Sequence, residues 1–319
     1  MAGSQAGINQ GQNRDLGAVR IGTRGSPLAL AQAKMVQAAI AVAHPALPPA
    51  EIVIIKTTGD RIQDRALAEI GGKGLFTKEI EDALLDGSID VAVHSMKDVP
   101  TQLPDGLAIT CLLPREDPRD ALILRAGRSL ADLPPGAVIG SASLRRQAQL
   151  LHRRPDLKVI NFRGNVGTRL GKLAAGEVDA TLLALAGLKR LGKADVATCI
   201  LATDDMLPAV AQGAIGLEIR TADTRMGDLL KPLHDDATAI AVTAERACLA
   251  GLEGSCRTPI AAHATIGPDG QLKLVALIAK PDGSALHRDE QSGPLAEAAA
   301  LGRNAAARLK SLAGPDFLA

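Results

Sequence analysis

From Val19 onward, short aliphatic and β-branched runs alternate with stretches in which apolar residues recur every three or four positions. Runs of the first kind suit strands buried on both faces and the second kind suits amphipathic helices, so the alternation predicts parallel sheets covered by helices. Val19–Gly22 reads as a strand. Ser26 and Pro27 then supply an N-cap and a proline for the first helical position, with Leu28, Ala31, Met35, Ala38 and Val42 on one face. Glu51–Thr57 reads as the next strand, and Phe76, Ile80, Ala83 and Leu84 mark a helix closed by Gly87. Val91–Val93 is a short buried strand ending at His94-Ser95-Met96-Lys97-Asp98.

Two proline-bearing stretches, Pro114–Pro118 and Leu207-Pro208, bracket a second series of strands at Val138–Gly140, Lys158–Phe162 and Asp179–Ala184, each followed by a helix-like stretch. Stiff, exposed crossings suit a domain boundary, and two of them suit a hinge. After Asp235 come a helix (Ala237–Ala250), a glycine-rich loop (Gly251–Pro259), three strand candidates (Ala261–Ile266, Leu272–Ala279, Ser284–Glu290) and an alanine-rich helix. The expected fold class is therefore α/β in three domains. Residues 18–114 with 209–234 form one α/β unit, residues 115–208 a second, and residues 235–319 a small α+β unit, preceded by a disordered extension of residues 1–17.

Composition narrows the functions open to this chain. Its 319 residues are 46% apolar and 22% charged, enough for a sizeable core and too hydrophobic for disorder. Three Phe, no Tyr and no Trp leave no stacking platforms along a groove for single-stranded nucleic acid. The formal charge is only +1, yet residues 141–193 carry eleven Lys/Arg against three Asp/Glu, a net of +8, so the other 266 residues carry −7. Cys111, Cys199, Cys248 and Cys256 lack CxxC spacing, which fits a reducing cytoplasm. Met1–Gly17 lacks the charged and apolar regions of a secretory signal, and the longest apolar stretch, Ala180–Leu188, is too short to span a bilayer. A soluble cytoplasmic protein is expected.

The chemistry concentrates at strand-to-helix junctions. In Ser141-Ala142-Ser143-Leu144-Arg145-Arg146 two arginines fall in a first helical turn, where the helix dipole disfavours cations unless an anion is also held there. A second junction, Asn161-Phe162-Arg163-Gly164-Asn165-Val166-Gly167-Thr168-Arg169, repeats the pattern, and two anion sites in one domain imply a polyanionic ligand. Arg24 takes the equivalent place after the first strand. Solvated surface arginines remain the competing reading. Asp98, at a strand's carboxyl end beside Lys97, is placed to shuttle a proton or stabilise a cation, against the plain alternative of a turn aspartate. Cys256, in a flexible loop next to Arg257, is a candidate nucleophile or attachment point. Cys248, sharing a helix face with Ile240 and Ala244, reads as core, and Cys111 and Cys199 as inert. Gly71-Gly72-Lys73-Gly74 lacks the phosphate-loop pattern and reads as a mobile lid, and the six scattered histidines suggest no metal.

Taken together, the chain resembles the porphobilinogen deaminase family, also called hydroxymethylbilane synthase. The resemblance runs from Arg20 to the last helix and is carried by Thr23–Leu30, Gly71–Phe76, His94–Pro100, Arg115–Asp120, Ser143–Gln147, Arg163–Arg169 and Gly254–Cys256, in that order. It implies two periplasmic-binding-protein-like α/β lobes with a hinge and a small α+β C-terminal domain. The implied activity is head-to-tail condensation of four porphobilinogen molecules with loss of ammonia, then hydrolytic release of linear hydroxymethylbilane in haem biosynthesis. The implied cofactor is dipyrromethane, a primer held by a thioether at the position of Cys256. By the same resemblance Asp98 is the catalytic aspartate. Lys97, Ser143, Arg145, Arg146, Gly167 and Arg169 contact the cofactor, Arg24, Ser26, Arg163, Arg190 and Gln212 contact substrate, and Lys73 and Phe76 belong to the lid loop. A monomer without metal, membrane or nucleic-acid partner is implied. Departures are confined to the surroundings of Cys256 (Ser255, Arg257, Thr258) and to the small Ala31 where an aromatic can occur.

Two other readings stay open at this stage: a non-catalytic hinge protein clamping an anionic solute, and a nucleic-acid binder using the basic segment. Replacing Arg145 or Arg146 by Leu is expected to weaken ligand binding with little effect on unfolding temperature.

Overall fold

The computed structural model describes residues 17–61, 77–254, 258–314 and 317. The first lobe is built from β1 (Arg20–Arg24), α1 (Pro27–Ala43), β2 (Glu51–Ile55), α2 (Thr58–Arg61), α3 (Lys78–Leu85), β3 (Val91–Ser95) and β4 (Leu107–Leu112). The chain then crosses into a second lobe of β5 (Asp120–Leu124), β6 (Val138–Gly140), α4 (Leu144–Arg153), β7 (Lys158–Ile160), α5 (Val166–Ala174), β8 (Ala180–Ala184), α6 (Leu185–Arg190) and β9 (Cys199–Ile200). It returns to the first lobe as β10 (Ile215–Arg220) and α7 (Thr224–Leu230). A small C-terminal domain follows, in which α8 (Asp236–Gly251) and α9 (Ala298–Ala313) pack on an antiparallel sheet of β11 (Ile260–Ile266), β12 (Gln271–Ala279) and β13 (Leu286–Pro294).

The two larger sheets have the orders β2-β1-β3-β10-β4 and β7-β6-β8-β5-β9. The β1–β2, β1–β3, β6–β7 and β6–β8 pairs are parallel, as the alternating pattern predicts. The sheets are nevertheless mixed, because β10 runs antiparallel to β3 and β4, and β5 to β8 and β9. Both reversed strands begin where the chain enters a lobe from a crossing, so they start at the edge where the parallel strands end.

The core also corrects the reading of α1. Its start is as predicted, since Ser26 caps the helix by accepting from the Ala29 amide and Pro27 occupies the first turn. Its buried face, however, is Gln32, Ala33, Val36 and Ile40, while Met35 is 46% and Val42 83% exposed. Alanines on every side leave two stripes at helical spacing, and only the sheet beneath chooses between them.

The two crossings are tied to the C-terminal domain by one buried carboxylate. Glu245 of α8 accepts from the Arg115 guanidinium at 2.6 and 3.1 Å, from the Ala211 amide at 2.6 Å and from the Ala264 amide at 2.8 Å. Burial pushes its carboxyl up, but Arg115 and, after it, His263 outweigh burial and bring it to about 2. Gly213 in the return crossing has φ +89°, and a Cβ there would stand 2.2 Å from the Glu116 carbonyl oxygen.

Candidate active site between the lobes

Because β1 and β3 are parallel neighbours, their carboxyl ends deliver their residues to one place. Arg24 ends β1, Ser26 follows it, and β3 runs into a single 3-10 turn, Met96–Asp98. Arg24, Ser26, Gln32, His94, Ser95 and Asp98 line one concavity, in which the Gln32 amide and the Ser95 hydroxyl are hydrogen-bonded at 2.8 Å. Asp98 is exposed, and no described residue hydrogen-bonds its carboxylate. Beneath it, buried His94 meets buried Glu218 of β10 at 2.8 Å.

The second lobe assembles its arginines by the same logic. β6, β7 and β8 are parallel, and each ends in a helix start at the same sheet edge. Ser143 caps α4 by accepting from the Arg146 amide, and Asn165 caps α5 by accepting from the Thr168 amide at 2.9 Å. Gly167 lies in the first turn of α5, and Gly164, at φ +121°, turns the chain so that its carbonyl accepts from Arg169 Nε at 2.9 Å. Arg190, at the end of α6, reaches the return crossing and donates to the Gly213 carbonyl at 2.6 Å. Gln212 donates to the Pro118 carbonyl and to Asp120 Oδ1.

Arg145 and Arg146 are already partly paired within the protein. Both are buried, and both pair with the Asp120 carboxylate at the start of β5, at 2.7 and 2.8 Å. Arg145 also donates to the Leu207 carbonyl, and Arg146 to that of Leu182. Burial pushes the Asp120 carboxyl up, but the two guanidinium groups outweigh it and hold it well below the usual carboxylate range. The expected indifference of unfolding temperature to Arg145→Leu or Arg146→Leu therefore gives way, since either change removes one of the two cations paired with a buried carboxylate. Asp120 was legible as part of the Arg115–Asp120 stretch, but nothing local marks it as the partner of arginines more than twenty residues away. Arg115 and His94 likewise fall in stretches that carry the resemblance, without a sign of their partners, and Glu245 and Glu218 carried no local signal.

One acid does not neutralise this cluster. Lys97, next to Asp98, extends from the first lobe toward Arg145, Arg146 and Asp120. Burial pulls its ammonium down to about 8, with Asp98 opposing and Arg146 adding to the fall. Burial, reinforced by Arg146 and Arg163, lowers Arg169 to about 10. Arg145 Nε, Arg190 Nε and Gln212 Oε1 are buried without a hydrogen-bond partner. The two orphaned guanidinium donors, and cations that outnumber the one carboxylate of Asp120, favour an anion placed among them, whereas the orphaned Gln212 Oε1 is an acceptor and suits a donor. Lys73, Phe76 and Cys256 lie outside the described residues. Cys111 and Cys248 are buried, and burial pushes both thiols up to about 12. Cys199 is half-buried and its thiol is also raised by burial.

Fold and site together define a two-lobed α/β protein with cations gathered between its lobes and, at their edge, an aspartate unpaired among the described residues. The family model described as porphobilinogen deaminase, dipyromethane cofactor binding domain, matches residues 19–228, and that of the porphobilinogen deaminase C-terminal domain matches residues 239–311. The chloroplastic porphobilinogen deaminase of Oryza sativa subsp. japonica is 57% identical over 307 residues, which are 94% of this chain and 85% of that protein. The porphobilinogen deaminase of Nitrobacter hamburgensis is 57% identical over 299 residues, 93% of this chain and 94% of its own length. Among solved structures, a periplasmic substrate-binding protein of an ABC transporter from Coxiella burnetii aligns over 69% of this chain and 94% of its own at 16% identity and TM-score 0.43, too distant to carry an argument. The chain belongs to the porphobilinogen deaminase family. Its function is that of the family in tetrapyrrole biosynthesis: it condenses four porphobilinogen molecules head to tail with loss of ammonia and releases linear hydroxymethylbilane, with dipyrromethane as cofactor.

The residues present fit that cofactor. Dipyrromethane and the growing chain carry an acetate and a propionate on each pyrrole, and the cations of the second lobe with the orphaned Nε donors of Arg145 and Arg190 are of the kind that hold carboxylates.

Proposed function

We propose that Asp98 is the catalytic acid of this reaction, and that the interlobe cations hold the carboxylates of substrate and cofactor. The observation that carries this reading is a carboxylate at the end of β3, unpaired among the described residues, next to Lys97, which reaches the buried cations Arg145 and Arg146 of the second lobe. Asp98 assists the departure of ammonia and stabilises the positive charge that develops on the substrate's methylene carbon, by charge and by accepting from the pyrrole N–H. Arg24 and Ser26 orient the incoming substrate beside it, and Arg163, Arg190 and Gln212 complete its binding. Ser143, Arg145, Arg146, Gly167, Arg169 and Lys97 hold the cofactor's carboxylates, and Cys256 is its covalent anchor. When bound, the cofactor supplies the attached primer on which the product is built. Lys73 and Phe76 belong to a loop that covers the site.

The same reading takes residues 18–114 with 209–234, 115–208 and 235–319 as three domains, with the lobes working about the two crossings. It also places the protein in the cytoplasm as a monomer. Among the described residues no helix is long and apolar enough to cross a membrane, and the relatives include both chloroplastic and bacterial proteins.

Asp98→Ala is expected to fold and to lose nearly all turnover, because an electrostatic role of this kind accounts for about a hundredfold or more in rate. Retained turnover above about a tenth of wild type removes Asp98 from that role. Intact-mass measurement tests the anchor. The protein should carry a mass excess of two linked pyrroles that is absent from Cys256→Ala, and an unmodified but fully active protein rejects it.

A further inference from the structure

Since no described residue holds the Asp98 carboxylate, its position is set by the backbone of the turn that carries it. That turn is gripped from the C-terminal domain. Arg246 of α8 donates from Nη1 to the Val99 carbonyl at 3.0 Å and from Nη2 to the Pro100 carbonyl at 2.6 Å, spanning the two residues that follow Asp98. The side chains of Met96 and Val99 are buried in the same cluster as Ala241, Val242 and Ala244 of α8. Met96 is fixed on its other side, since its amide donates to the Ala214 carbonyl and its sulfur packs over Gly216.

Arg246 is an unusual choice for a structural staple. Burial lowers its pKa, with Glu218 opposing, yet no carboxylate among the described residues pairs with it. Both contacts go to carbonyls of a single turn, and a forked cation reaching two consecutive carbonyls fixes their direction as well as their place. An apolar side chain would fill the same space without desolvating a charge.

We propose that Arg246 is a positioning residue that holds the Asp98 turn so that the carboxylate stands where the leaving ammonia and the developing cation need it. The proposal rests on reading Asp98 as the catalytic acid. Arg246 touches no reacting atom; its effect passes through the Val99 and Pro100 carbonyls to the residue before them.

The test is a double-mutant cycle on the cofactor-loaded enzyme, with Arg246→Met, Arg246→Lys, Asp98→Asn and the two double variants, read as single-turnover consumption of porphobilinogen and as steady-state kcat and KM. Arg246→Met should lower kcat about 10–100-fold, the penalty of a misplaced catalytic group, with KM within about twofold of wild type. Arg246→Lys, which keeps a donor for one carbonyl, should recover part of the loss. In the Asp98→Asn background Arg246→Met should change the residual rate by less than about twofold, because no carboxylate remains to be positioned. Loss of the same factor in both backgrounds, a change confined to KM, or a missing cofactor mass overturns the proposal. If Arg246→Met does not fold, the cycle with Arg246→Lys decides by the same criteria. Asp98→Asn alone monitors the underlying reading, since retention of most of its turnover removes the acid on which the proposal stands, whatever Arg246 does.

Discussion

At the scale of single residues, the site divides its carboxylates by the company they keep. Asp120 is enclosed by Arg145 and Arg146, whereas Asp98 stands exposed with no hydrogen-bonding partner among the described residues. The first is a counter-ion and the second is available for chemistry. Arg146→Leu leaves Asp120 buried with half its compensation gone, and unfolding in urea should show a loss of about 3–5 kcal/mol. The pH dependence follows from the sign of the shift. Asp120 and Glu245 bind protons more weakly in the folded protein than in the unfolded chain, so their contribution is complete above the unfolded carboxylate range, about pH 4–5, and drains away as the pH falls toward the lowered values. Urea titrations between pH 6 and pH 3 should show a shallower decline for Asp120→Asn than for wild type. Sequence exposed the charges of Arg145 and Arg146 and their place in a first helical turn, but not that a protein carboxylate already occupied part of the anion's place.

At the scale of elements, caps and turns were legible and faces were less so. Ser26 caps α1 as read from the sequence, and Ser143 and Asn165, not singled out there as caps, cap α4 and α5 by the same chemistry, which is settled within four residues. The buried stripe of α1 and the antiparallel entry of β5 and β10 were not legible, since both depend on partners distant in the chain. The crossings carry the sharpest element-level constraint. Gly213 combines a left-handed backbone with close approach of the Glu116 carbonyl, and Gly213 itself receives Arg190. Gly213→Ala adds a left-handed penalty and a collision, together about 2–4 kcal/mol, and should lower the unfolding temperature measurably while α4, α5 and their caps stay intact by hydrogen exchange. An unchanged unfolding temperature would mean that the crossing relaxes freely.

For the whole molecule, the uneven charge along the chain divides in space: Arg153, Arg154 and Lys172 pair with Asp205, Asp156 and Glu177, whereas Arg145, Arg146, Arg163 and Arg169 stay near one another, with Lys97 of the first lobe reaching Arg145 and Arg146. Without an anionic ligand these cations repel one another across a partly desolvated gap. Protein lacking the cofactor, prepared as Cys256→Ser, should therefore unfold at a lower temperature than the loaded protein, by an amount that shrinks between about 0.02 and 0.5 M salt as screening replaces the missing carboxylates. A difference independent of salt would assign the stabilisation to packing.

Along the chain alone, one could read which residues end strands, which cap helices, that cations cluster between two crossings, and that an aspartate and a cysteine stand apart from them. These follow from local chemistry, in which side chain and backbone meet within a few residues. Only the tertiary structure decided that Asp120 pairs with both Arg145 and Arg146, that Glu245 ties both crossings to α8, and that Arg246 grips the turn bearing Asp98. Each of these joins groups far apart in sequence whose burial makes the pairing obligatory, and burial is a property of the folded whole.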